Sequence, residues 1–166
     1  MKICNKVFSM LLSFILLGTL WSSTVITVSA EEIEVPSYYE YVETEKESIT
    51  HWYVIARGTY LKEGICGIKD SSRGRVSVSG TTFAHVICDT IKVGIYLDES
   101  SDGGSTFAQI GSYYFSENNT ATCYGSKTNI SATSGRYYVA RGVHSATKNS
   151  TTESTTTRTN AIKCTQ

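Results

Sequence analysis

Residues 91–97 read Ile91-Lys92-Val93-Gly94-Ile95-Tyr96-Leu97. The four aliphatic side chains fall on alternate positions, with Lys92, Gly94 and Tyr96 between them. A period of two is a strand with one face in a core and the other toward solvent; a helix needs a period of about 3.6. Upstream, Arg75-Val76-Ser77-Val78-Ser79 alternates in the same way. Downstream, Tyr138, Ala140, Gly142 and His144 alternate with Val139, Arg141 and Val143. β-branched and aromatic residues abound, and no Ala/Leu/Glu/Lys stretch offers a competing helix. Asp70–Gly74, Ser101–Ser105, Glu117–Asn119 and Ser131–Gly135 carry the Gly, Asn, Asp and Ser of turns. Strands are predicted over 59–69, 74–82, 90–98, 106–116, 120–129, 136–145 and 151–163. Seven short strands at this spacing predict an all-β, two-sheet antiparallel sandwich of immunoglobulin or fibronectin-III type, with a closed barrel as the alternative.

The chain around these strands has 166 residues, 15 basic against 15 acidic side chains, 13 glycines and one proline. That balance excludes a strongly basic nucleic-acid binder, a polyacidic tail and a collagen-like chain. At the N-terminus, Lys2 and Lys6 precede an apolar run from Val7 to Trp21, and Val28-Ser29-Ala30 stands before Glu31-Glu32. Residues 1–30 thus read as a cleaved signal helix, too short in its apolar core for the ~20 residues of a bilayer span. The expected product is secreted, at the cell surface or in the medium, without integral membrane association. Residues 31–56 hold seven glutamates, from Glu31 to Glu47, beside Lys46 and predict a solvated acidic leader, partly disordered. Residues 57–166 then form the folded domain, with 12 basic and 8 acidic side chains.

Cys66, Cys88, Cys123 and Cys164 are an even set in an exported chain, so two disulfides are expected. Four cysteines allow three pairings; a sandwich topology suggests Cys66–Cys164 and Cys88–Cys123. No CxxC occurs, which argues against zinc.

The constellations that can carry chemistry are few. Ser100-x-Asp102-x-Gly104-x-Thr106-Phe107 resembles the Asp-box turn of secreted β-proteins, with Phe in the Trp slot. Its Asp is expected to cap turn amides and its ring to pack beneath, a structural role. Tyr137-Tyr138 after Gly135 suits a tyrosine corner, the hydroxyl bonding backbone upstream. His144 falls on the Tyr138 face and reads as a hydrogen-bonded, part-buried histidine rather than a metal ligand. Among eleven tyrosines, Tyr96, Tyr113, Tyr114 and Tyr124 are candidates for a ligand-stacking surface, since each ring joins an apolar face to a polar tip. Ten of the fifteen residues from Ser145 to Thr159 are Ser or Thr, which suits a solvated edge strand. No catalytic set, cofactor motif or metal site emerges.

Arg57-Gly58-Thr59-Tyr60-Leu61, Gly74–Thr82, Gly135–Ser145 and Thr152-Glu153-Ser154 together resemble a family of small secreted proteins of unknown function from Gram-positive bacteria. The resemblance covers 57–166 and implies a secreted β-sandwich, with no catalytic residues to carry over. Chain character is also similar to fibronectin-III modules, without their usual second-strand Trp. The expected function is a non-catalytic extracellular module that binds a protein or glycan. The alternative is a small secreted hydrolase of wall or host glycans or esters, using scattered Ser, His and Asp.

Overall fold

A computed structural model describes residues 37–54 and 60–166. The expected signal helix, residues 1–30, lies outside the described residues. The elements are β1 (Ser37–Thr44), β2 (Glu47–Val54), β3 (Leu61–Asp70), β4 (Arg75–Ser100), β5 (Ala108–Ser131), β6 (Tyr137–Lys148), β7 (Thr151–Arg158) and β8 (Ile162–Lys163). All pairings are antiparallel, and no helix occurs among the described residues. No helix there is long and apolar enough to cross a membrane.

All eight strands belong to one sheet, ordered β1-β2-β3-β4-β6-β7, with β5 paired to β4 and β8 to β6. Separate strands were expected at 74–82 and 90–98; they are one strand, β4, of 26 residues. Its first half, to Phe83, lies between β3 and the second half of β5. Its second half, from Cys88, lies between the first half of β5 and β6. The register slips between Phe83 and Cys88, where β4 carries extra residues. Just past this bulge, between Asn118 opposite Thr90 and Thr120 opposite Cys88, Asn119 adopts φ +53°. A bulge bends a strand and tightens its twist, so the Glu117–Asn119 turn chemistry folds β5 over instead of reversing it. The sheet therefore curls until its own halves meet. A Cβ on Gly80 would stand 2.7 Å from Val93, although both residues belong to β4.

The core fills the inside of the curl with Val76 and Val78 from one half and Ile91, Val93, Ile95 and Leu97 from the other. These are the alternating sets read from the sequence.

The acidic stretch departs from its reading as a leader. Residues 37–54 form the β1–β2 hairpin, and β2 pairs with β3 from Glu47↔Lys69 to Tyr53↔Glu63. The glutamates of β1 stay exposed, while Ser48 and Thr50 are buried.

Candidate functional site

The outward positions of the β5–β4–β6 surface build a groove. Gly94 pairs with Tyr114 on β5 and with Val143 on β6; Lys92 pairs with Ser116 and Ser145. Because side chains alternate across a strand, Lys92, Gly94 and Tyr96 all point out of the curl. Gly94 has no side chain and is buried: the Tyr114 ring lies over it, 3.3 Å from where a Cβ would stand, with Tyr96 at 3.7 Å. Beside these rings is a groove of about 430 Å³ lined by Lys92, Gly94, Tyr96, Tyr114, Val143 and Ser145.

Tyr96 and Tyr114 form an edge-to-face pair with centroids 5.8 Å apart. The Tyr114 hydroxyl donates to that of Tyr96 at 3.2 Å. That hydrogen bond leads, ahead of burial and the neighbouring Tyr114, in raising the Tyr96 pKa. Tyr114 is 67% exposed. Arg141, opposite Tyr96 on β6, places its guanidinium 5.2 Å from the Tyr96 centroid. The same guanidinium donates to both carboxylate oxygens of Asp98, at 2.5 and 2.9 Å, and to Gln109 at 3.2 Å. A bidentate pair of this kind fixes the Arg plane and so props the Tyr96 wall. Beyond Val143 the surface continues into a second hollow of about 340 Å³ under Tyr39 and Tyr41 of β1.

Of the four tyrosines proposed for stacking, Tyr96 and Tyr114 share this groove. Tyr113 instead turns inward and packs against the core. Tyr124 is exposed on the other half of the sheet, beside Gly67 and Ser79. Lys92, Gly94 and Arg141 escaped the sequence reading as site residues. The outward Lys-x-Gly-x-Tyr parity was legible, but which residues of β5 and β6 stand opposite was not.

The turn at Ser100–Phe107 is held by side-chain oxygens. Asp102 Oδ1 accepts from the Ser100 hydroxyl at 2.7 Å and from the amides of Ser105 and Thr106 at 3.0 and 2.9 Å. Its Oδ2 accepts from the Thr106 hydroxyl, and Ser100 Oγ accepts from the Gly104 amide at 2.8 Å. The bond from Ser100 leads these in holding the Asp102 carboxyl far below the usual carboxylate range. Phe107 is half-buried beneath the Arg158 guanidinium, 5.3 Å from its centroid. Every oxygen of Asp102 is spent on the turn.

Tyr138 is fully buried. Its hydroxyl accepts from the Thr133 amide at 2.7 Å, upstream in the chain, and donates to Glu99, which also pairs with Arg136. Burial leads, with Glu99, in raising the Tyr138 pKa; the bond from Tyr138 leads, with Arg136, in lowering that of Glu99. Tyr137 lies under Lys163, 5.9 Å from its ring centroid.

His144 is fully buried between Gly64 and Gly142, where a Cβ on either would strike its ring at 2.6 Å. Nδ1 meets the Thr82 hydroxyl and Nε2 the Thr157 hydroxyl, each at 2.9 Å. Thr82 spends its proton on the Lys92 carbonyl at 2.9 Å. Nδ1 therefore carries hydrogen and Nε2 accepts from Thr157. Burial pushes the His144 pKa down to about 4, so the ring is neutral.

The two expected disulfides are not formed: Cys66, Cys88, Cys123 and Cys164 are all buried free thiols. Cys66 lies beside Gly142 in the middle of β3, whereas Thr165, next to Cys164, bonds Asp70 at the end of β3. Cys123 stands opposite Thr82 and Cys88 opposite Thr120, on the two sides of the β4 bulge. Burial pushes the Cys66 thiol up to about 12. Among the described residues, no three His, Cys, Asp or Glu side chains converge as a metal site.

Residues 26–162 match the family of unknown function DUF6147. The match reaches back through the acidic stretch that forms β1 and β2, beyond the 57–166 of the resemblance. No curated protein and no solved structure matches the chain.

Proposed function

The chain belongs to the DUF6147 family of unknown function, and we propose that it is a non-catalytic binding module working outside the cell, at its surface or in the medium. The signal-like N-terminus supports export. The curled sheet serves in this reading as a two-layer, immunoglobulin-like scaffold, offering an outer face to a protein or glycan. One observation carries the proposal: an open Tyr114 ring over a glycine floor, with Tyr96 held at right angles by Arg141. Exposed rings with polar tips, locked by neighbours, bind at low entropic cost. His144, the natural base for a hydrolase, is instead closed off from solvent by two glycines and two threonine hydroxyls.

The test is a combined array of glycans and extracellular proteins probed with the full chain. Binding that Tyr96→Ala and Tyr114→Ala each reduce at least tenfold is the expected result. An array without any ligand, or ligands indifferent to both substitutions, overturns the proposal. Turnover of ester or glycan substrates, lost on His144→Ala in folded protein, would replace it with the hydrolase reading.

A further inference from the structure

Lys92 stands at one end of the groove floor, exposed. Among the described residues its ammonium has no ion-pair partner, whereas Arg136 and Arg141 are paired with Glu99 and Asp98. The outward positions flanking it are Thr90 and Gly94 on β4, Tyr114 and Ser116 on β5, and Val143 and Ser145 on β6. None carries a carboxylate. Glu117 and Glu153 do not compensate it either. Glu117 pairs with the core residue Ile91 and Glu153 with the buried Ala146, positions of opposite parity to Lys92, and Glu153 accepts from the Leu61 amide. The groove thus joins one uncompensated cation to an aromatic wall and a row of hydroxyls.

We propose that this groove binds a pyranose bearing an anionic substituent, the sugar ring stacking on the exposed Tyr114 ring and the anion meeting Lys92. The inference rests on the binding-module reading and names its ligand class. The volume, about 430 Å³, lies within the ~300–1,000 Å³ of small-ligand sites. A pyranose presents a patch of C–H bonds on one face and hydroxyls at its rim. The Tyr114 face meets the first; Ser116, Ser145 and the tyrosine hydroxyls meet the second. A protein partner fits less well, because a hot spot needs a desolvated apolar centre. Here the only aliphatic side chain standing outward is Val143, 38% exposed. The position of Lys92, past the floor from Tyr96, places the charge at the ring's edge rather than beneath it.

Calorimetric titration of the full chain distinguishes the sources of the anion. The probes are tetragalacturonate for a carboxylate, pentamannose phosphate for a phosphate, and galactotetraose as the neutral sugar. At least one acidic probe is expected to bind about tenfold or more tighter than galactotetraose, the return on one charge-assisted hydrogen bond. Lys92→Gln should bring that affinity down to the neutral level, and added salt should weaken it. Tyr114→Ala should remove binding of every probe, and Tyr124→Ala, on the other half of the sheet, should change nothing. Equal affinity for acidic and neutral sugars, unmoved by Lys92→Gln, overturns the anionic ligand and leaves the groove as a sugar site. Failure of all three probes, or binding that survives Tyr114→Ala, overturns the inference outright, while the array result stands on its own for the broader reading.

Discussion

At residue scale the core is organised around a polar ring. His144 keeps both nitrogens bonded to threonine hydroxyls, with Gly64 and Gly142 pressed close against its ring. Its pKa, about 4 in the fold against an ordinary 6.5, makes the unfolded chain the better proton acceptor between these values. Stability is therefore full above pH 6.5 and declines as pH falls toward 4, by about 3 kcal/mol at the lower limit. Glu99 and Asp102, whose carboxyls the fold holds below their ordinary values, lose their own contribution only as pH falls into the ordinary carboxylate range, so the fall from pH 7.5 to about 5 reports the histidine. Urea unfolding between pH 7.5 and about 5 should show the decline, and His144→Gln should flatten it; a flat wild-type curve would refute a neutral buried ring. The glycines are as demanding. Gly64→Ala puts a methyl 2.6 Å from the ring and should cost about 1–3 kcal/mol as overpacking. Strand parity was enough to read His144 as part-buried and bonded. The glycines that clamp it lie on β3 and its own strand, and only tertiary contact gives them that role.

At the scale of elements, the same turn chemistry does two jobs. Asp70–Gly74, Ser101–Ser105 and Ser131–Gly135 lie between strands that reverse, as their residues indicate, and the core strands on either side were legible from alternation. Glu117–Asn119 looked equivalent, yet β5 runs through it. An Asn in the left-handed region serves a bend as well as a reversal, and the choice is made by the extra residues on the facing strand, which one strand's sequence does not display. Asn119, exposed and at φ +53°, should accept Gly, while Asn119→Val should destabilise by about 1–2 kcal/mol, measured by chemical denaturation. The Asp102 turn answers a different measurement. Asp102→Ala removes the acceptor of the Ser105 and Thr106 amides, so these should lose hydrogen-exchange protection while β4 and β6 amides keep theirs. Unchanged protection at both would mean the backbone holds the turn alone.

At the scale of the molecule, the curl has to be closed, and sulfur does not close it. All four thiols lie in one core cluster without pairing. Native protein should resist alkylation at Cys66, Cys88, Cys123 and Cys164, and urea without reductant should release all four; two bridged pairs in a peptide map would contradict this. The closure falls to the β1–β2 hairpin, which reaches β7 and the segment after it. Thr50 Oγ1 donates to the Arg158 carbonyl at 2.9 Å, Ser48 Oγ accepts from the Asn160 amide at 3.0 Å, and the Tyr39 hydroxyl donates to the Thr156 carbonyl at 3.3 Å. This also explains why the hairpin was missed in the sequence. Its fully buried residues are Ser48 and Thr50 rather than aliphatics, with Trp52 alone packing against the core from the same face, so a run of alternating aliphatics is absent, and the surrounding glutamates read as solvation. Thr50 is fully buried. Thr50→Val keeps shape but leaves the Arg158 carbonyl without its donor, a loss of about 1–3 kcal/mol. If the hairpin is the clasp, the variant should also expose β7 amides and the Tyr39 contact to exchange and proteolysis before global unfolding. Equal protection of β7 in variant and wild type would assign closure to the core alone.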